Sequence, residues 1–184
     1  MSNSRLVKIS KFLSKHLRHT PEEIGIKLAP GGWVAVDELL MACANHKFII
    51  TITELQEVVA TSDKKRFAFD STETLIRANQ GHSTAVDLLL EPVVPTDVLY
   101  HGTGNKSVDA IMQAGISKMS RHHVHLSSDI ATAKIVGARH GKPVIFAVDT
   151  GKMYEDGYIF YCSDNGVWLV DHVPPEYLHK ISSG

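Results

Sequence analysis

Cysteine is scarce in this chain of 184 residues, and neither sign of charge is in excess. The two cysteines, Cys43 and Cys162, lie far apart and form no CxxC pair, so the sequence supports neither a zinc knuckle nor a disulfide framework. The balance of 19 basic and 20 acidic residues leaves a net charge of -1, which excludes a global field that attracts nucleic acid. Any nucleic-acid contact must therefore come from a local basic patch.

Long apolar runs are also missing. The opening segment, MSNSRLVKIS, lacks the apolar core of a signal peptide, and no later run approaches the length needed to span a bilayer. We therefore expect a soluble, cytoplasmic protein. With 43% hydrophobic and 21% charged residues, the chain can bury the core of one or two compact domains.

Several common catalytic motifs are absent as well. The sequence has no G-x-S-x-G elbow, no Walker loop and no pair of carboxylates in a motif context, which argues against the corresponding hydrolases. The segment Tyr100-His101-Gly102-Thr103-Gly104 is not G-x-G-x-x-G, and no acidic residue follows at the spacing of a Rossmann ribose site. A dinucleotide-binding Rossmann fold is therefore disfavoured.

The first half of the chain reads as helices followed by a hairpin. Apolar residues spaced by three and four predict one helix over residues 5–18, and two more are predicted over 37–46 and 53–61. Asp37 and Thr53 are the expected N-caps. Two short apolar segments on either side of residues 70–73 predict a strand, turn, strand hairpin. Three helices and a hairpin resemble a winged helix, although this is only analogy.

The second half alternates strand and helix signals after a proline-containing stretch at residues 91–96. Because proline cannot donate to a strand ladder, we place a domain boundary there, giving domains 1–92 and 93–184. Predicted helices cover 107–114 and 129–138, and predicted strands cover 98–101, 124–126, 144–148, 158–161 and 167–170. This order favours an α+β fold with a sheet-rich second lobe.

A basic stripe marks the first predicted helix. At 3.6 residues per turn, four basic residues fall within an arc of roughly 80°, with no acid among residues 1–20: Lys8, Lys11, Lys15 and Arg18. A solvated lysine face is the simplest interpretation of such a stripe. However, it leads into Arg18-His19, and Thr20-Pro21 should end the helix there. A guanidinium fork beside an imidazole can bind phosphate oxygens and exchange a proton near neutral pH.

Three further polar segments are candidates for the same kind of site. Lys64-Lys65-Arg66 precedes the hairpin and is equally well explained as a charged turn. Gln80-Gly81-His82-Ser83 follows the hairpin and suits backbone approach to an anion. Arg139, near Gly141, fits a helix C-terminus but can also point toward a ligand.

Eleven histidines are many for this length, and seven of them lie in the second half. On a strand, His123 and His125 face the same side, and Asp129 follows, so a cupin-like metal site can be drawn. A suitable third ligand and a barrel of regular strands are both missing. We expect no metal, and we assign these histidines to buried backbone groups or to a nucleotide.

Seven motifs, in order, resemble the RNA 2'-phosphotransferase family, of the NAD-dependent tRNA 2'-phosphotransferase type. They are LRH at 17–19, SDKKRF at 62–67, QGHS at 80–83, YHGT at 100–103, HVHLS at 123–127, VGARHG at 136–141 and NGVWL at 165–169. The resemblance covers nearly the whole chain and shows no departure from the family's pattern.

The resemblance implies a winged-helix RNA-binding lobe followed by a small ADP-ribosyltransferase-like mixed-sheet lobe that binds NAD. It implies that an internal RNA 2'-phosphate displaces nicotinamide from NAD, and that the ribose 2''-hydroxyl then attacks this phosphate. The expected products are 2'-hydroxyl RNA and ADP-ribose 1'',2''-cyclic phosphate. The expected partner is an RNA that carries a 2'-phosphate, as RNA splicing generates; no protein partner is indicated.

The site residues also come from the resemblance. The catalytic set falls on Arg18, His19, Arg66 and Arg139, and the NAD-side residues are His101, Gly102, Thr103 and Ser127. Lys65 and His82 are the expected substrate-binding residues.

Two rival functions remain open at this point. One is an ADP-ribosyltransferase that acts on terminal phosphates of RNA or DNA, for which the first step alone forms the product. The other is a catalytically silent winged-helix nucleic-acid binder, against which the intact set of four residues argues.

Overall fold

The computed structural model describes residues 3–62 and 64–181. The chain divides into two compact units, Met1–Leu89 and Leu90–Gly184. Asp63, part of the SDKKRF motif, lies outside the described residues. No helix within the described residues is long and apolar enough to cross a membrane.

Both units mix helices with short antiparallel strands, so the mixed α+β class is confirmed. The helices of the described residues are α1 (Asn3–Arg18), α2 (Val36–Asn45), α3 (Ile52–Thr61), α4 (Val108–Ala114), α5 (Ile130–Gly137) and α6 (Thr150–Glu155). The strands are β1 (Trp33–Ala35), β2 (Phe67–Phe69), β3 (Leu75–Ala78), β4 (Val98–Gly104), β5 (Ile116–Ser117), β6 (Val124–Leu126), β7 (Pro143–Asp149), β8 (Phe160–Cys162), β9 (Trp168–Val170), β10 (His172–Val173) and β11 (Leu178–Ile181).

The first unit packs α1, α2 and α3 with a three-stranded sheet in the order β1-β3-β2. The apolar face predicted for α1 is confirmed, because Ile9, Leu13 and Leu17 are completely buried in the core. The hairpin is confirmed too, since β2 pairs with β3 from Phe67 opposite Ala78. This pairing places the segments that flank the hairpin side by side.

The predicted N-caps of α2 and α3 are wrong by two residues. Thr51, rather than Thr53, caps α3: its hydroxyl accepts the Glu54 N–H at 3.2 Å, while the Glu54 carboxylate accepts the Thr51 N–H at 3.0 Å. This reciprocal pair is a capping box, which satisfies two donors at once. Helix α2 follows Ala35 without a side-chain cap, and Asp37 lies in its first turn, where a carboxylate favours the helix dipole.

The second unit contains three small sheets, ordered β11-β7-β4, β6-β9-β8 and β10-β5. Strand β4 continues to Gly104, beyond the predicted end at His101. The glycines allow this extension, because a Cβ on Gly102 would lie 1.7 Å from the Ala133 carbonyl oxygen of α5. The backbone of β4 therefore lies directly against α5.

Candidate active site

Helix α1 ends at Arg18, as the Thr20-Pro21 pair predicts, and a short 3-10 helix begins at Pro21. The Arg18 carbonyl oxygen accepts two hydrogen bonds, from the N–H groups of Ser83 at 2.8 Å and Thr84 at 3.2 Å. The last carbonyls of a helix have no partner inside the helix, so this loop caps α1 from outside. The QGHS segment therefore lies directly against the LRH segment.

The Arg18 side chain is half-buried and points toward the start of the hairpin. Its Nη2 donates to the Arg66 carbonyl oxygen at 3.5 Å, and its Cζ lies 5.9 Å from the centre of the Phe67 ring. A guanidinium near an aromatic face gains cation–π attraction, which favours the orientation that the Arg18 side chain adopts. The fold thus brings Arg18 to the backbone of Arg66, which is 48 residues away in sequence.

Backbone and side-chain hydrogen bonds hold Arg66 in a turn. Its Nη1 lies 3.4 Å from the Ser62 hydroxyl, and its carbonyl oxygen accepts the Asn79 N–H at 2.9 Å. The exposed Lys65 has a φ of 40°, in the left-handed region that a lysine rarely adopts. Its carbonyl oxygen accepts a hydrogen bond from the Asn79 side chain at 2.6 Å.

His19 is exposed, and its ring is oriented by the QGHS loop. The Nδ1 atom lies 2.8 Å from the Ser83 hydroxyl oxygen, so the two groups share a hydrogen bond. Three of the four predicted catalytic residues, Arg18, His19 and Arg66, are thus linked by one set of contacts within the first unit. The set contains two guanidinium groups and one imidazole, which suits an anionic substrate.

His82, a predicted substrate-binding residue, is completely buried in the first unit. A Cβ on Gly32 would lie 3.1 Å from its Nε2, so the ring packs against a glycine backbone. The ring has no exposed surface and packs beside the loop that carries Ser83, and its assignment to the substrate stays a prediction. Lys65, by contrast, is exposed.

The basic stripe on α1 is only partly available to a ligand. Lys15 forms an ion pair with Glu23 at 2.5 Å, and this hydrogen bond lowers the pKa of the Glu23 carboxyl. Lys8 and Lys11 are exposed. The basic stripe is therefore mainly exposed to solvent. Its last member, Arg18 at the C-terminal end of α1, is half-buried.

In the second unit, His101 lies on β4 with a fixed tautomer. Its Nδ1 donates to the His125 carbonyl oxygen at 3.1 Å, which leaves Nε2 as an acceptor in the neutral ring. Burial lowers the pKa of His101, although the hydrogen bond to His125 opposes that shift. Within the described residues, no hydrogen bond to Nε2 is formed.

The remaining predicted NAD-side residues surround His101 along β4 and β6. Gly102 lies against α5, and Thr103 is buried. Ser127 exchanges two backbone hydrogen bonds with Tyr100, at 2.7 and 2.8 Å, and so joins the end of β6 to β4. The packing against α5 is sufficient to explain the glycine at position 102.

Arg139 lies in the short 3-10 helix Ala138–His140 that continues α5, as the C-terminal position predicts. Its side chain is exposed, and it makes no ion pair or hydrogen bond with the described residues. It belongs to the second unit, apart in sequence from the other three arginine and histidine residues.

The histidine run does not form a group of metal ligands. Asp129 is the N-cap of α5, accepting the Thr132 N–H at 2.7 Å and its hydroxyl at 2.8 Å. His123 packs its ring against Tyr161, with centroids 5.4 Å apart. Over residues 3–62 and 64–181, no three His, Cys, Asp or Glu side chains are grouped to hold a metal ion.

Sequence reasoning missed the residues that hold the site together. Ser62, Asn79 and Ser83 each contact a predicted catalytic residue or its neighbour. Ser62 and Ser83 stand within motifs that were recognised, SDKKRF and QGHS, whereas Asn79 immediately precedes the second of these. The sequence signal for these three residues was their position in or next to a motif. Their hydrogen bonds form only in the folded chain.

The fold and these contacts define a two-unit α+β protein whose first unit links Arg18, His19 and Arg66 through backbone and side-chain hydrogen bonds. Comparison with known proteins gives the family. A sequence model of the "RNA 2'-phosphotransferase, Tpt1 / KptA family" matches residues 4–172, and the chain belongs to that family.

Curated relatives match over nearly their full length. The chain is 75% identical over 181 residues to a "Probable RNA 2'-phosphotransferase" of Nostoc punctiforme, covering 98% of this chain and 100% of that protein. Proteins of the same description from Trichormus variabilis and Streptomyces coelicolor are 68% and 53% identical, covering 99% and 97% of this chain and 100% and 97% of theirs.

Proposed function

We propose that this protein is an NAD-dependent RNA 2'-phosphotransferase. It transfers an internal RNA 2'-phosphate to NAD through an RNA 2'-phospho-ADP-ribose intermediate. Nicotinamide leaves in the first step, and ADP-ribose 1'',2''-cyclic phosphate leaves in the second. Membership of the family supports the transfer of an RNA 2'-phosphate.

The observation that carries the proposal is the linkage of Arg18, His19 and Arg66 in the first unit. The Arg18 guanidinium contacts the Arg66 backbone, and the His19 ring contacts the loop that caps Arg18. Two guanidinium groups can bind phosphate oxygens in a bidentate manner, whereas lysine acts as a point charge. The cluster is accordingly assigned to the RNA 2'-phosphate, with Lys65 as a further cation of the same unit. By the resemblance, Arg139 is the fourth member of the catalytic set.

The first step needs binding and alignment more than proton transfer. A phosphate monoester has a second pKa of about 6, so it is largely dianionic near neutral pH and already nucleophilic. Arg18 and Arg66 bind its oxygens, and a phosphate oxygen attacks the ribose carbon that loses nicotinamide. No general base is required to generate the nucleophile.

The second step concentrates negative charge on the phosphorus centre. The ribose 2''-oxygen forms a bond to phosphorus as the bond to the RNA 2'-oxygen breaks. Guanidinium groups aimed at these oxygens stabilise that charge, and the loss of one donor costs on the order of 3 kcal/mol in barrier. His19 accepts the proton of the attacking hydroxyl and returns one to the leaving RNA oxygen.

The second unit is assigned to NAD. Neutral His101 keeps Nε2 as an acceptor, which suits a donor such as a ribose hydroxyl. Gly102, Thr103 and Ser127 are assigned to the same side of this unit. When bound, NAD supplies the ribose carbon that receives the phosphate and the hydroxyl that later attacks it.

The two units correspond, in this proposal, to a winged-helix lobe and an ADP-ribosyltransferase-like lobe. Three helices and a three-stranded antiparallel sheet make up the first, in keeping with a winged helix. Small antiparallel sheets flanked by short helices make up the second.

The test uses a short RNA with one internal 2'-phosphate, incubated with the protein and NAD. We expect nicotinamide release and ADP-ribose 1'',2''-cyclic phosphate detected by mass, and neither product from the same RNA with a 2'-hydroxyl. An RNA with only a terminal phosphate is the second comparison. Stable ADP-ribosylation of that end, with no reaction at the internal phosphate, would replace the proposal with the terminal-phosphate alternative.

A further inference from the structure

We propose that Ser83 is a positioning residue that fixes the ring orientation of His19. This inference rests on the proposed function, because it concerns the proton that His19 moves in the second step. It assigns a role to a side chain that the catalytic set of four does not include.

The contact between the two side chains is short and spans a long sequence separation. His19 Nδ1 and Ser83 Oγ are 2.8 Å apart, although the residues are 64 positions apart in the chain. A hydrogen bond to one ring nitrogen restricts the ring and so sets where the other nitrogen points. Such a hydrogen bond restricts the rotation of an exposed ring about its side-chain bonds.

The backbone of the same loop is anchored separately from the hydroxyl. The N–H groups of Ser83 and Thr84 both donate to the Arg18 carbonyl oxygen. On the other side, the completely buried His82 ring packs against Gly32. The Ser83 hydroxyl is therefore held in place by main-chain and core contacts, and removing it leaves those contacts intact.

A hydroxyl is suited to a histidine that works as both base and acid. When its O–H donates to Nδ1, the neutral ring carries its proton on Nε2; when it accepts from Nδ1–H, the neutral ring has an unprotonated Nε2 that can accept a proton. In the second step the ring takes a proton from the ribose 2''-hydroxyl and gives one to the RNA 2'-oxygen as the P–O bond breaks. Because the hydroxyl can donate or accept, it keeps its hydrogen bond to Nδ1 in either neutral tautomer and in the imidazolium.

A carboxylate at the same position would act differently. It can only accept, so it would hold the Nδ1–H form and stabilise the imidazolium by its charge. Such a partner favours the base function over the acid function. The neutral hydroxyl is thus part of how the site balances the two transfers.

The experiment compares Ser83→Ala, Ser83→Thr and Ser83→Asp in the full chain with NAD and a 2'-phosphorylated RNA. Single-turnover assays follow nicotinamide release for the first step and the cyclic product for the second. We expect Ser83→Ala to slow the second step about tenfold or more, since a positioned acid–base group contributes about 10²- to 10⁴-fold. The first step should stay within about twofold, and the RNA 2'-phospho-ADP-ribose should accumulate.

The other variants separate positioning from a general structural effect. Ser83→Thr keeps the hydroxyl and should restore most of the second step. Ser83→Asp should move the low-pH limb of the second step to higher pH, because the added charge favours the protonated ring. Ser71→Ala, in the exposed hairpin turn, is the matched control and should leave both steps unchanged.

Two results would overturn the inference. One is an unchanged second step in Ser83→Ala; the other is an equal loss of both steps that Ser83→Thr does not restore. Failure of the proposed function looks different, since the wild-type protein would then release no nicotinamide from any of these RNAs. Thermal unfolding of each variant shows whether the fold is retained.

Discussion

The side-chain amide of Asn79 donates a hydrogen bond of 2.6 Å to the carbonyl oxygen of Lys65. The main-chain N–H of the same asparagine donates to the next carbonyl, that of Arg66, at 2.9 Å. Asn79 therefore holds two consecutive carbonyls, and Lys65, which carries the first of them, has a left-handed φ. The Arg66 side chain extends from this segment. The position of its guanidinium therefore depends on the hydrogen bonds made by the uncharged Asn79.

We predict that Asn79→Asp impairs turnover more than Asn79→Ala does. Alanine loses one hydrogen bond, at a cost of about 1 kcal/mol. In aspartate, one carboxylate oxygen replaces the donating Nδ2 and lies against the Lys65 carbonyl oxygen, which is also an acceptor. The other oxygen replaces Oδ1, which is buried and has no hydrogen-bond partner among the described residues. Single-turnover rates and thermal unfolding of the two variants test this order. Equal rates for both variants and the wild type would show that the turn needs no such support.

Arg18→Ala and Arg66→Ala should both accumulate the ADP-ribosylated RNA. Each removes a cation that stabilises charge in the second step, and about 3 kcal/mol corresponds to a rate loss of more than 100-fold. Gel analysis of a labelled RNA detects the intermediate.

Arg5→Ala is the control, because Arg5 lies at the other end of α1 and pairs with Glu54 at 2.9 Å. It should unfold at a lower temperature yet retain turnover; wild-type turnover in Arg18→Ala or Arg66→Ala would remove that residue from the site.

Gly102→Ala should destabilise the protein rather than act on NAD alone. The new Cβ would lie 1.7 Å from the Ala133 carbonyl oxygen, so β4 and α5 must separate. Overpacking of this kind costs about 1 to 3 kcal/mol or more. Gly137→Ala is the graded comparison, since its Cβ would lie 2.9 Å from the Thr103 carbonyl oxygen and its position is helical. Thermal unfolding should rank Gly102→Ala well below Gly137→Ala. A Gly102→Ala variant with wild-type stability and weakened NAD binding would reverse this assignment.

Sequence patterns predicted the long periodic elements well and the short ones poorly. The face of α1 was predictable because Ile9, Leu13 and Leu17 repeat at helical spacing over several turns. Strand β1 covers only Trp33–Ala35, and its pairing with β3 depends on residues about forty positions later, so no local pattern shows it. Strands β10 and β11 and helix α6 were missed for the same reason: each is short and defined by its partners.

The residues of the candidate site also differ in how far the sequence predicted them. Arg18 and His19 were predictable from the helix and its proline stop, whereas Arg66 rested on the resemblance. Their contacts through Ser83 and Asn79 are made by backbone groups and small polar side chains. Such residues carry no periodic signal, because any loop contains them.

The pH dependence of stability should report on His101. Burial lowers the folded-state pKa of His101 below its unfolded value of about 6.5, so the unfolded chain binds the extra proton first on acidification. The stability contributed by neutral His101 is therefore fully present above about pH 6.5 and is lost as pH falls through the folded-state pKa. We expect His101→Gln, which cannot titrate, to lose less stability than the wild type between about pH 7.5 and pH 5.5. Denaturant unfolding at both pH values measures the difference; because His123 also has a lowered pKa, His123→Gln is the parallel variant. If His101→Gln and the wild type lose stability in parallel, the buried ring does not contribute to the acid sensitivity of the second unit.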